Sequence, residues 1–377
     1  MTKIRFCRAT CHLTGFPRET GRGLCLFLAA CCWFYFATDA YAQLPAPGGA
    51  EAPASTADPV TETEVVGRVT DALDRSLEYL SSKQRADGAW DDNHAVNGLA
   101  MLAFMGRGHV PGRGPYSDVL DRGKKFVLAT QSPQGIFASP RASHGPMYEH
   151  GLTTTAMAEM YGMDGDPELE EKLRKAVDLI IQAQSPSGGW RYQPVPGAQD
   201  LSVTVMQVVA LRAANNAEIP VPAQTIEKAI AYVKTCAAPT GGFGYEGPSP
   251  NPQMSAAGIL SMQLLGQYDD PSVAKSLEYL EKIPIDWSAG GGVTYFYYFH
   301  YYAIQGHYQA GGKHWNNWHP KIRELLLSKQ NADGSWDVPP GTAEANEGTV
   351  GANKVYWTAM ASLVLEIYMH YLPAYQR

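Results

Sequence analysis

The side chains best suited to chemistry fall in short polar groups, most of them just ahead of a long apolar segment. Asp91, Asp92 and His94 enter the first segment, Tyr148, Glu149 and His150 the second, and Asp200 and Ser202 the third. Tyr295, Tyr298, His300, Tyr301 and Tyr302 lie on the fifth, and Glu347 and Asn353 precede the sixth. A desolvated carboxylic acid can donate a proton, and Asp200 and Glu149 are the candidates for that role. Two carboxyls roughly 5–10 Å apart can cleave glycans, which makes Glu149 with Asp92 or Asp200 a candidate pair. A metal set of His94, Glu149 and His150 lacks H-E-x-x-H or comparable spacing, so no metal is expected. Capping is the plain alternative for acids at helix starts, and the "D-x-S" at Asp200 suits it. By default, His300 within "YFYYFHYY" is a core histidine.

These groups need elements to carry them, and the chain supplies a repeat. Aromatics that close Gly-containing turns recur at Trp90, Phe137, Trp190, Phe243 and Trp336. The last interval spans two units, with a degenerate turn near Gly290–Gly292, which makes six units. In each unit a helix with one apolar stripe, such as "ELEEKLRKAVDLIIQAQ", is followed by one apolar nearly all round, such as "LSVTVMQVVALRAA". Alternating half-exposed and buried helices predict two concentric rings, an all-α α/α toroid of six hairpins. Gly88, Gly188 and Gly334 supply positive φ where the outer helix stops. Gln84, Gln131, Gln184 and Gln330 end those helices with amides able to bond open backbone groups. The turns feed the inner-helix N-termini, so Asp91, Asp92, His94, Tyr148, His150, Tyr298, His300 and Tyr302 are expected to form a ligand funnel. Convergent positive helix ends would favour anions there.

The turns carry a resemblance. "QRADGAW" (84–90), "QNADGSW" (330–336) and, loosely, "QSPSGGW" (184–190) resemble the Q-x-x-x-G-x-W repeat of squalene/hopene and related terpenoid cyclases. Those enzymes share their toroid with protein prenyltransferase β subunits. The resemblance covers roughly residues 66–372. More narrowly, "HGLTTTAMAEMYG" and "YYAIQGHYQAGGKHWNNW" look like the exported prenyltransferase/squalene-oxidase-repeat proteins of planctomycete-type bacteria. That subgroup implies fold and export rather than an established reaction. Cyclases of this type protonate an alkene with a D-x-D-D cluster, which this chain lacks; at the comparable place only Asp200 remains. D-D-x-x-D is also missing. The prenyltransferase zinc site does not transfer either, because Cys236 lies outside its context.

Composition bounds the rest. Of 30 Lys/Arg and 37 Asp/Glu, residues 1–42 hold five and two, leaving 25 against 35 and a body charge of −10. An acidic body without a basic run argues against nucleic acid as partner. Arg5, Arg8, Arg18 and Arg22 precede the apolar run Leu24–Ala37 and then Ala40-Tyr41-Ala42, which reads as a signal peptide over 1–42. A Pro/Ala-rich linker over 43–65 and a toroid domain over 66–377 follow, with no transmembrane span in the mature chain. "LAAC" offers lipidation at Cys31 as the alternative. Five of six cysteines lie in the leader, so the mature chain has no internal disulfide. No cofactor is expected. The reading is an exported (periplasmic or extracellular) cyclase-like toroid acting as a binding or scaffold module for an apolar, isoprenoid or glycan ligand. The alternatives are a cyclase-type isomerase with a lone acid, Asp200 or Glu149, and a glycan-active (α/α)6 enzyme.

Overall fold

Apolar periodicity drives the architecture. A computed structural model describes residues 62–142, 145–345, 353–367 and 372. The leader with Cys31, most of the linker and Glu347 lie outside these described residues. Six outer helices are α1 (Glu62–Lys83), α3 (Ser117–Thr130), α5 (Pro167–Ala183), α7 (Ala223–Thr235), α9 (Pro271–Leu280) and α11 (Gly312–Lys329). They alternate with six inner ones: α2 (His94–Gly106), α4 (Pro146–Asp164), α6 (Leu201–Asn216), α8 (Pro252–Leu264), α10 (Phe296–Ala310) and α12 (Lys354–Glu366). Helix α1 begins inside the stretch read as linker.

Every residue of α2 is buried, whereas α5 buries only Leu169, Leu173, Ala176, Val177, Ile180 and Ala183, a single stripe. A helix apolar on all sides must be enclosed, and a striped one can enclose it. Accordingly α2 packs on α4, α4 on α6, α6 on α8, α8 on α10, α10 on α12, and α12 returns to α2. The inner ring is closed, and the expected α/α toroid is what the structure shows. One departure from all-α is a pair of two-residue strands, β1 (Phe243–Gly244) and β2 (Pro250–Asn251), leading into α8.

The turns join neighbouring hairpins. Gln84 Nε2 donates to its own turn at Gly88 O (2.9 Å) and onward to Val119 O of α3 (2.9 Å). Gln131 repeats this with Gly135 O and Lys172 O of α5, and Gln184 with Gly188 O and Thr225 O of α7. Gln330 donates to Gly334 O and, closing the ring, to Ala72 O of α1 (2.7 Å). Glycine is required because the turn lies against the next outer helix. A Cβ on Gly188, at φ 105°, would sit 2.0 Å from Lys228 O. Trp90, Trp190 and Trp336 bury their rings and donate Nε1–H to Leu80, Ile180 and Leu326 carbonyls. The fourth turn has Ala237 in place of the glutamine and uses Ser276 Oγ, which accepts from Gly242 N–H (2.8 Å). The fifth becomes a 3-10 turn over Ser288–Gly292, the degenerate one expected.

Gln184→Ala removes two main-chain links and is expected to cost about 1–3 kcal/mol in chemical denaturation. Gly188→Ala adds a steric clash to backbone strain and should cost more than Gln184→Ala. Equal stability of the two variants and the parent would contradict the joining role.

Candidate functional site

The six inner-helix N-termini meet around a cavity of about 610 Å³. Each inner helix or its approach contributes to the lining: Asn93 and Ala95, Tyr148 and Glu149, Ser202 and Met206, Gln253 and Met254, Tyr295 and Tyr298, and Glu344 with Tyr356. The barrel centre is therefore open, and Tyr301 and Tyr302 are buried without lining it. The lining includes six tyrosines, at 148, 192, 245, 295, 298 and 356. Apolar bodies with polar tips are what pockets for amphipathic ligands use.

Glu149 is buried at the start of α4, but its oxygens are engaged. Oε2 accepts from His94 N–H (2.9 Å), the first backbone amide of α2, and from Ser139 N–H (2.8 Å), while Oε1 accepts from Ser139 Oγ (3.0 Å). Glu344 does the same for α10, accepting from the N–H groups of Tyr297 and Tyr298 (3.1 Å each). Both carboxylates face the cavity while satisfying open helix ends.

Asp200 does not line the cavity. It is the fully buried N-cap of α6: Oδ1 accepts from Val203 N–H (3.0 Å) and Ser202 Oγ (2.6 Å). Its Oδ2 lies 3.8 Å from Arg191 Nε, and the Tyr245 hydroxyl also acts on the carboxylate. Burial raises the Asp200 carboxyl above the usual range, opposed by the hydrogen bonds at Oδ1 and by Arg191. Ser202 in turn bonds Tyr148 OH (2.5 Å), so a path of hydroxyls leads from Asp200 to the cavity wall. Nearby, Tyr192 and Tyr245 share a hydroxyl–hydroxyl hydrogen bond, with Arg191 against both rings and paired to Glu246 at 2.6 Å.

The expected funnel is thus only partly realised. Tyr148 and Tyr298 line the cavity; Asp91, Asp92, His94, His150, His300 and Tyr302 do not. Asp91 accepts from Asn93 N–H and Asn353, and Asp92, mostly exposed, pairs with Arg85. His94 turns to α3, bonding Thr130 Oγ1 (2.8 Å). His150 accepts from Phe137 N–H (3.0 Å) and faces Ala176 O of α5. That places it in a structural series, because Asn97, Thr204, Ser255 and Thr358 hold the N–H groups of Trp90, Trp190, Phe243 and Trp336 in the same way. His300 packs on Phe296, Phe299 and Trp318, with neither ring nitrogen hydrogen-bonded. Among the described residues, no group of three or more His, Cys, Asp or Glu side chains is placed to hold a metal. Sequence reasoning missed Tyr192 and Tyr245, although each follows its turn aromatic, Trp190 or Phe243, by two residues. It also missed Asn251, the N-cap of α8.

No known family model matches the chain. A lanosterol synthase, erg7A of Aspergillus fumigatus, is 25% identical over 141 residues, which is 36% of this chain and 19% of that protein. The chain thus matches about a fifth of that relative's length. The structure aligns with the type II terpene cyclase MstE from Scytonema, in complex with geranylgeranyl dihydroxybenzoate, at TM-score 0.56 and 13% identity. That match covers 83% of this chain and all of the other. The chain shares the α/α toroid fold of that cyclase. A glycosidase in complex with glucose aligns equally well, at TM-score 0.57 and 14% identity over 84% of this chain and all of the other. At these identities both structural likenesses are of fold alone.

Burial pushes His300 and His307 down to about 3, and His150 and His319 to about 4. Their folded values lie below the unfolded value, so unfolding takes up protons in acid. The stability this contributes is complete above about pH 6.5 and is lost as pH falls towards 3–4. The melting temperature should therefore fall steadily below pH 6.5. His300→Phe, filling an apolar site, should recover about 2 kcal/mol at pH 5 relative to its effect at pH 8. A pH-independent difference between variant and parent would show that His300 titrates normally.

Proposed function

We propose that this chain is an exported, non-catalytic binding module, in which a cyclase-like toroid offers its central cavity to an apolar or isoprenoid ligand. One observation carries the non-catalytic part. The carboxylates that reach the cavity, Glu149 and Glu344, already accept main-chain N–H groups, and Asp200 stands behind Ser202. Protonating an alkene needs a carboxylic acid in contact with it. The hydroxyls between Asp200 and the cavity are far weaker acids, and burial weakens Tyr148 further. The missing D-x-D-D cluster agrees with this, and the leader supports export.

The isomerase reading draws support from the raised Asp200 carboxyl and the hydroxyl path to Tyr148. A glycan ligand is the second reading, favoured by the tyrosine-lined cavity and by the glucose held in a glycosidase of the same fold.

The purified protein is expected to yield no cyclised product from squalene or geranylgeranyl substrates, while these quench its aromatic fluorescence saturably. Met206→Trp, filling the cavity, should weaken that binding by about tenfold, or roughly 1.4 kcal/mol. Cyclised product that disappears with Asp200→Asn would overturn the proposal. A polysaccharide panel without hydrolysis, elimination or binding would dismiss the glycan reading.

A further inference from the structure

Convergent helix N-termini ordinarily favour anions, because their N–H groups are open and their dipoles point positive ends at the ligand. Here much of that potential is met within the protein. Asn93 caps α2 through Ala95 N–H, and Glu149 takes His94 N–H of the same helix. Asp200 caps α6, Asn251 caps α8, Glu344 caps α10 and Asn353 caps α12. At α4, Pro146 has no N–H, and Met147 N–H donates to Tyr192 O. Among the described residues, the lining contains two carboxylates and no Lys, Arg or His. A nearby guanidinium, Arg191, is outside the lining and already paired with Glu246.

We infer that the cavity selects an uncharged, hydroxyl-bearing ligand with an apolar body and rejects the corresponding anion. This rests on the binding-module reading above and narrows it. A ligand hydroxyl both donates and accepts, and the wall offers both halves. Glu149 and Glu344 supply acceptors. Asn93 and Asn251 give Oδ1 to their caps, and neither Nδ2 hydrogen-bonds to protein among the described residues. A phosphate would need open N–H groups or a cation, and would meet carboxylates instead.

The test is a matched series on the full mature chain, read by fluorescence quenching: geranylgeraniol against geranylgeranyl diphosphate, and methyl glucoside against glucose 6-phosphate. The neutral member of whichever pair binds should bind at least about tenfold more tightly, and the pair that responds identifies an isoprenoid or a sugar source. Glu344→Gln should narrow that gap by about fivefold or more. Asn251→Asp keeps a good N-cap and so guards against misfolding. It removes the amide donor and should weaken the neutral ligand about threefold or more. Equal or tighter binding of the phosphorylated member overturns the inference and leaves the binding-module reading standing. Unchanged affinity for the neutral ligand in Asn251→Asp overturns the donor assignment. No binding by any member to the folded protein overturns the underlying reading, and the inference with it.

Discussion

The glutamine at the end of an outer helix is the contact on which the rest of the ring depends. Its amide holds its own turn with one N–H and the next outer helix with the other, so one side chain both ends a hairpin and attaches the following one. Gln330 shows why this matters beyond local geometry, since its second bond reaches Ala72, 258 residues back in the chain. The facing glycines allow the approach, because a Cβ at any of these turns would overlap a carbonyl of the neighbouring helix. Hydrophobic burial drives the inner helices together, but it is non-directional. The turn contacts supply the direction.

Closure of the ring then sets the problem that shapes the site. Six helix starts brought to one cavity carry open N–H groups at its edge, and buried open groups are costly. The chain answers with side chains of the cavity wall itself. Glu149 and Glu344 reach across to helices other than the one an ordinary cap would serve, and Asn93, Asp200, Asn251 and Asn353 cap their own. Polar residues that look chemically poised in sequence are therefore held by structural demand. What remains facing the cavity is a ring of phenols, methionines and leucine with few uncommitted polar atoms.

Much of this was legible in the sequence, and the particular failures are instructive. The alternation of striped and uniformly apolar helices, repeated six times, points to the toroid, in which one set encloses the other. The capping role of Asp200 was readable from its "D-x-S" start. His150 was not, because nothing in "YEHG" tells that its ring turns outward to hold the Phe137 N–H. His94 and His300 failed likewise: a helical residue near a cavity can face the centre, a neighbour or the outer ring, and the direction depends on packing. Glu344 and Tyr192 reach the cavity from irregular segments, for which periodicity gives no face.

The sequence by itself determined the repeat, the order of helices, the residues that turn the chain and the lack of an acid cluster. These depend on spacing and residue type within one unit, where interactions are local. The tertiary structure alone decided that the centre stays open, that two glutamates from different hairpins act as caps, and that Asp200 is set back behind Ser202. These facts depend on how far inner helices can approach once their bulky residues are packed together. That distance is a property of the closed ring and of no segment within it.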